Sequence, residues 1–176
     1  DMKRAWVEYA FDQLAAAGYT VSSAYTMVKN PDRVNFSYRD NLWQGSDLVV
    51  TGIASFGHVS GVHYQNNAEW DGYCGSLEAG ELPLMRGIRL TPHQQLIRET
   101  ILQLKRGYLS ADYFWKKFSV DILEFWSDVW TTYEQDDLCV TDRESGRINL
   151  TREGLLQVDS LLPAFFEPQF QGVRYT

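Results

Sequence analysis

Residues 91–107, "TPHQQLIRETILQLKRG", are the stretch that decides the fold of this chain. Thr91 stands before Pro92 and three positions before a glutamine, which is the pattern of a capping box at a helix N-terminus. Apolar residues then recur at helical spacing, at Leu96, Ile97, Ile101 and Leu104. Gly107 supplies a stop, so the stretch predicts an amphipathic helix packed on a core.

The segments that follow predict two more helices, a hairpin and a last helix. Ser110 precedes a short helix, and a longer apolar pattern runs from about 119 to 135. Residues 138–151 contain two short strands around a turn, and Thr151 can cap the final helix. This order is that of a winged-helix domain. We therefore expect a helical, winged-helix-like C-terminal domain over 68–176.

The preceding residues, 1–67, predict a different kind of structure. Residues 3–17 form a helix with Trp6, Ala10, Leu14 and Ala17 on one face, and residues 19–28 form a strand. Residues 46–54 have the apolar centre of a buried parallel strand. One helix and two strands cannot cover a parallel sheet, so we expect its other strands upstream, in a longer protein. The predicted class is α+β.

Charge and composition exclude several classes of partner. The chain has 176 residues and a net charge of −7, which argues against nucleic acid and anionic membranes. No apolar run approaches the roughly 18 residues of a membrane span. The helix in the DNA-recognition position lacks lysine and arginine from Ser119 to Leu138, so the winged helix is not expected to bind DNA.

The two cysteines, Cys74 and Cys139, have no metal-site spacing and indicate no disulfide framework. This favours a reducing, cytoplasmic location.

Several segments, in order, resemble one known family. They are "AAAGYTVSSAYTMVKNP", "VNFSYRDNLWQGSDLVVTGIASFGHVSG", the closing Asn66, "RGIRLTPHQQLIRETILQLKRGYL" and "INLTREGLLQVD". Together they make nearly the whole chain similar to the C-terminal half of the oxygen-independent coproporphyrinogen III oxidases, a family of radical S-adenosylmethionine (SAM) enzymes. The resemblance implies that residues 1–67 are the edge of a partial (β/α) barrel whose remainder is missing upstream.

The resemblance also implies a reaction and its cofactors. Family members decarboxylate the propionates of coproporphyrinogen III oxidatively, and relatives include haem-handling proteins. Their [4Fe–4S] cluster needs three cysteines spaced Cys-x-x-x-Cys-x-x-Cys. This chain has two cysteines 65 positions apart, so the cluster is expected in the upstream barrel, and the chain alone is not expected to be active.

The implied cavity for SAM and a tetrapyrrole lies along "GIASFGHVSGVHYQNN", residues 52–67. Small side chains there let a flat ligand approach the backbone, and Gly52 and Phe56 are the candidate cofactor contacts. His58, His63, Arg33 and Arg39 are the candidate substrate contacts, the arginines through propionates. The segment departs from the family's Gly-x-Gly-x-x-Ala pattern by one glycine.

Other interpretations of the same residues stay open. The histidines, five positions apart and without a nearby third ligand, do not have the spacing of a helical zinc site, but they suit haem iron or ordinary backbone hydrogen bonds. Arg33 and Arg39 suit surface ion pairs, and Asn66 and Asn67 suit helix capping. Asp47 is a candidate acid near the mouth of the cavity, and a turn at the start of the strand is its other interpretation. The whole domain also suits a non-catalytic module that binds haem or docks a protein.

Overall fold

The computed structural model describes residues 2–172, which form a mixed fold of helices and strands, as predicted. The α-helices are α1 (Met2–Ala16), α2 (Ser37–Trp43), α3 (Trp70–Glu78), α4 (Pro92–Leu104), α5 (Ala111–Phe118), α6 (Ile122–Phe125), α7 (Ser127–Gln135), α8 (Arg152–Leu156) and α9 (Val158–Leu161). The strands are β1 (Thr20–Ser23), β2 (Thr26–Val28), β3 (Phe56–Val59), β4 (Val62–Asn66), β5 (Leu84–Arg89), β6 (Tyr108–Ser110), β7 (Cys139–Asp142) and β8 (Arg147–Leu150). Among these residues, no helix is long and apolar enough to cross a bilayer.

The strands form three small sheets, and every strand pair in the described residues is antiparallel. Their orders are β1-β2, β3-β4-β5 and β6-β8-β7. Contacts divide the chain into a helical unit, made of the described parts of Asp1–Phe36 and Leu96–Thr176, and a sheet unit, Ser37–Gln95. The boundary predicted near residue 67 lies within the sheet unit, between β4 and α3. The division into a barrel edge and a winged-helix-like domain stays a prediction.

The core of the helical unit is aromatic. Trp130 and Phe165 are almost fully buried, with ring centroids 5.1 Å apart. The polar atoms of the core aromatics have partners: Trp130 Nε1 donates to the carbonyl of Ile122 at 2.7 Å, and the Tyr133 hydroxyl donates to the carbonyl of Leu161 at 2.6 Å. Burial raises the pKa of Tyr133 to about 12, so the hydroxyl keeps its proton near neutral pH.

The capping signals of the sequence are confirmed. The backbone N–H of Gln94 donates to Thr91 Oγ1 at 3.2 Å, and Gln94 Oε1 accepts from the Thr91 N–H at 3.1 Å, which completes the capping box of α4. Thr151 Oγ1 accepts from the N–H of Gly154 at 3.0 Å at the start of α8. Gly154 is needed there because a Cβ would lie 2.0 Å from the carbonyl oxygen of Leu138. The predicted hairpin is also confirmed, as β7 and β8.

Two of the predicted strands were wrong. Residues 19–28 form the short hairpin β1–β2 instead of one strand. Residues 46–54 form no strand: Leu48 makes a single antiparallel bridge with His58, and Val49 is 78% exposed. A buried parallel strand needs parallel neighbours, and residues 2–172 supply none.

The predicted helices are present, but some of their buried faces and one of their lengths were predicted wrongly. α1 buries Phe11 and leaves Trp6 67% exposed. The apolar residues of α1 are spread over all sides of the helix, so its sequence does not define one buried face.

The sequence also predicts a short helix over 67–79 with Trp70, Tyr73, Cys74 and Leu77 inward. This helix is present as α3, but Trp70 and Leu77 are exposed. The helix predicted over 119–135 is broken at Trp126 into α6 and α7.

One charged side chain lies inside the helical unit. Glu99 on α4 is 4% exposed; its carboxylate accepts from the Tyr113 hydroxyl at 2.6 Å and from Lys117 Nζ at 2.7 Å. Burial, and then the hydrogen bond to Glu99, raise the pKa of Tyr113 above its usual value. The carboxylate therefore depends on a phenol and an ammonium, both from α5.

Lys117→Met is expected to lower the free energy of unfolding by about 2 kcal/mol, because it leaves a buried carboxylate without its cation. Lys116→Met is the matched control: Lys116 is 72% exposed and pairs with Asp112 one turn away, so its loss should cost less than about 0.5 kcal/mol. Urea unfolding of both variants measures the difference. Equal effects would show that Glu99 needs no cation.

The sheet unit contains a packing constraint at its central strand. Tyr64 on β4 is paired with Gly57 on one side and with Gly87 on the other. A Cβ on Gly57 would lie 2.2 Å from the Tyr64 ring, whereas a Cβ on Gly87 would have no neighbour closer than 3.5 Å. The ring therefore lies over the glycine of β3.

Gly57→Ala should destabilise the sheet unit by about 1–3 kcal/mol, because the Tyr64 ring has to move. Gly87→Ala puts the same methyl group beside the same tyrosine without a clash, and its effect should stay within about 0.5 kcal/mol. Thermal unfolding of the two variants provides the comparison. A Gly57→Ala protein as stable as Gly87→Ala would mean that the ring does not rest on Gly57.

Candidate functional site

The candidate site is one face of the β3-β4-β5 sheet. Residues directly opposite each other on paired antiparallel strands share a face. Phe56, Gln65 and Arg86 make one row across the sheet, and His58, His63 and Ile88 make the next row. The stretch predicted to be a cavity loop is therefore mainly a β-hairpin.

A two-residue turn sets the register of this hairpin. Val59 pairs with Val62, and the intervening Ser60 and Gly61 have φ angles of 50° and 76°. Positive φ at both positions is the type I′ geometry, whose twist matches that of the strands. Asp47 Oδ1 accepts from the N–H of Ser60 at 2.8 Å, so Asp47 holds the β3–β4 turn, 13 positions on, and not a turn at the start of a strand.

The loop before β3 is held by side chains that come later in the chain. The N–H of Gly52 donates to the Tyr73 hydroxyl at 2.9 Å, and its carbonyl accepts from Asn66 Nδ2 at 3.0 Å. Its φ of +99° favours glycine. Asn66 is therefore a loop clamp and not a helix cap, whereas Asn67 Oδ1 accepts from the Glu69 N–H just before α3.

Phe56, His58 and His63 lie together on the sheet face. The rings of Phe56 and His63 are stacked, with centroids 5.6 Å apart and planes 7° from parallel. The ring centroid of His58 is 6.3 Å from that of His63. Phe56 is 50% exposed, His63 is partly buried and His58 is 6% exposed. The face thus offers a stacked pair of aromatic rings, one of them an imidazole, with a second imidazole beside it, which suits contact with a planar ligand.

Gln65 and Arg86 add a polar edge to the same face. Gln65 is 7% exposed; its Nε2 donates to the carbonyl of Ala54 at 3.2 Å, and its Oε1 accepts from Arg86 Nε at 2.8 Å. Arg86 is exposed. Sequence reasoning missed both residues. The alternation of "FGHVSGVHYQ" around Ser-Gly is the signal that could have indicated the hairpin and its shared face.

The predicted arginines lie elsewhere. Arg39 is on α2 in the sheet unit, where its Nε donates to Asp40 Oδ1 at 2.8 Å and its guanidinium lies 5.3 Å from the centre of the Trp43 ring. Arg33 ends a short 3₁₀ helix, Pro31–Arg33, in the helical unit. The structure therefore groups Phe56 with the two histidines, and within the sheet unit it pairs Arg39 with Asp40.

Metal binding has little support in the described residues. Within 2–172, no group of three His, Cys, Asp or Glu side chains is arranged to hold an ion. Burial, and then the charge of Glu134, raise the pKa of Cys139 to about 11, so it is a neutral thiol near pH 7. A [4Fe–4S] cluster requires three thiolates, which the two cysteines of this chain cannot supply.

Two known proteins are similar to this chain, whereas no family model matches it. The oxygen-independent coproporphyrinogen III oxidase of Pseudomonas aeruginosa is 25% identical over an alignment of 181 positions that covers 94% of this chain and 39% of that protein. The solved structure of coproporphyrinogen III oxidase from Escherichia coli, described as a radical SAM enzyme, has a TM-score of 0.70 at 18% identity. It aligns with 90% of this chain and 39% of its own.

The chain therefore spans about two fifths of the length of each protein that it matches. The TM-score shows a shared fold over that portion. Both comparisons confirm the resemblance inferred from the sequence, which is to the oxygen-independent coproporphyrinogen III oxidases.

Proposed function

We propose that the chain is the C-terminal part of a radical SAM protein similar to the oxygen-independent coproporphyrinogen III oxidases. In this proposal, residues 1–67 complete the edge of an upstream barrel, and residues 68–176 form its winged-helix-like cover. The full-length protein binds SAM and a [4Fe–4S] cluster, and it decarboxylates propionates of a tetrapyrrole in the cytoplasm. The cluster belongs to the upstream barrel.

The observation that carries the proposal is the stacked pair Phe56–His63 beside a backbone with small side chains. Gly52, Ala54 and Ser55 leave space for close approach to the loop, and the stacked rings supply a flat surface at its end. Together they suit two ligands that lie side by side, one of them planar. Gly52 and Phe56 are the proposed contacts to SAM.

The substrate contacts follow from side-chain chemistry. His58 and His63 donate or accept hydrogen bonds at the tetrapyrrole edge, and their rings exclude water from it. Arg33 and Arg39 are proposed to pair with propionates, for which Arg39 would have to exchange its contact with Asp40. The cluster and SAM supply the radical chemistry when bound, and this chain's residues orient the substrate.

The first test is the full-length coding sequence. We expect three cysteines spaced Cys-x-x-x-Cys-x-x-Cys upstream of residue 1, and anaerobic decarboxylation of coproporphyrinogen III by the protein with its cluster reconstituted. A full-length protein without that motif rules out radical SAM chemistry. A haem-binding or docking module would then be the better description, and haem titration would separate those two.

Phe56→Ala in the full-length protein is expected to reduce kcat/KM by about tenfold or more, because the variant loses the stacked surface. Trp115→Ala is the control, since Trp115 is an aromatic residue of similar exposure (58%, against 50% for Phe56) on α5 in the helical unit, and it should change kcat/KM less than about twofold. Anaerobic kinetics with coproporphyrinogen III measure both. If the two variants behave alike, the stacked pair has no part in the reaction.

A further inference from the structure

The sheet face carries positive charge in an acidic protein. The chain has a net charge of −7, but β3, β4 and β5 contain no aspartate or glutamate and carry two arginines and two histidines. The arginines lie on β5, and their separation of three residues puts them on opposite faces. Arg86 shares the face of Phe56 and His63, and Arg89 does not.

Arg86 is held in place by a buried amide. The Oε1 of Gln65 accepts from Arg86 Nε at 2.8 Å, and Gln65 is itself fixed by donating to the carbonyl of Ala54 at 3.2 Å. Within residues 2–172 this is the hydrogen bond that the structure gives Arg86, and it uses Nε alone. A guanidinium has five N–H donors, so the four on the terminal nitrogens can serve a ligand.

Arg86 is exposed, but its guanidinium is fixed at one nitrogen by Gln65. A free arginine loses side-chain entropy when it binds an anion, whereas Arg86 is already constrained by Gln65 at one end of its planar fork. Phe56, Gln65 and Arg86 lie side by side across the sheet, with Gln65 between the other two. A flat ligand stacked on Phe56 and His63 would therefore bring an acidic substituent toward Arg86.

We infer that Arg86, positioned by Gln65, binds a carboxylate of the ligand that lies on Phe56 and His63. The inference rests on the proposed function and adds a specificity-determining residue and a positioning residue to that site. The carboxylate belongs either to the tetrapyrrole or to the amino-acid part of SAM. A paired carboxylate and guanidinium form two parallel charge-assisted hydrogen bonds, which makes the acid the recognised group.

Binding to the full-length protein tests this inference in two arms. One arm titrates the protein with coproporphyrin III and with its tetramethyl ester, and the other uses SAM and decarboxylated SAM. We expect Arg86→Met to weaken binding of the acid by about tenfold or more in one arm, and to leave the ester or decarboxylated form unchanged. Arg89→Met removes the same charge from the opposite face and should change neither.

Two more variants separate positioning from folding. Arg86→Lys should recover only part of the affinity, because an ammonium lacks the planar fork. Gln65→Met keeps the arginine but releases it, so it should weaken binding of the acid and not of the ester. A merely structural loss would weaken both ligands alike, and circular dichroism checks that each variant is folded.

Three results would overturn the inference. They are equal affinities of Arg86→Met and Arg89→Met for the acid, equal affinity of the full-length protein for acid and ester, and no binding in either arm. Each leaves the proposed function to its own test, because the upstream cysteine motif and the effect of Phe56→Ala on turnover do not depend on Arg86.

Discussion

The candidate site depends on one set of hydrogen bonds, those that fasten the loop before β3 to residues that follow it. Gly52 is held through its N–H by Tyr73 and through its carbonyl by Asn66. The N–H of Ala54 donates to the carbonyl of Asn67 at 2.9 Å, and its own carbonyl accepts from Gln65. These hydrogen bonds fix the backbone conformation of a loop that has few side chains to pack. The hairpin face with Phe56 begins where that loop ends.

Gln65 connects this constraint to the chemistry of the face. Its amide joins the loop, at Ala54, to the guanidinium of Arg86 on the far strand. A displacement of the loop at Ala54 would therefore move the Gln65 side chain and, with it, the guanidinium of Arg86. Buried amides with both ends satisfied are costly to disturb, so the polar edge and the aromatic surface are expected to keep one relative geometry.

Much of the helical unit could be predicted from the sequence because its signals are local. The Thr151 cap and the β7–β8 turn involve residues within a few positions of one another, and so does the Thr91–Gln94 capping box just before this unit resumes at Leu96. The sheet unit could not be predicted in this way. β5 joins β4 only after α3 intervenes, and Arg86 reaches Gln65 across 21 positions. Residues 46–54 were misread because an apolar run alone does not reveal whether it has a strand partner.

β5 has a further consequence for the behaviour of the isolated chain. It is the last strand of its sheet, all six of its residues are exposed, and Leu84, Met85 and Ile88 give it an apolar character. An uncovered edge of this kind is a template for pairing with a second copy, which leads to self-association. Arg86 and Arg89 oppose that outcome, since two copies meeting edge to edge would bring four guanidinium groups together. Arg86 is thus expected to help keep the chain soluble, and its charge is the one that the ligand's carboxylate would neutralise.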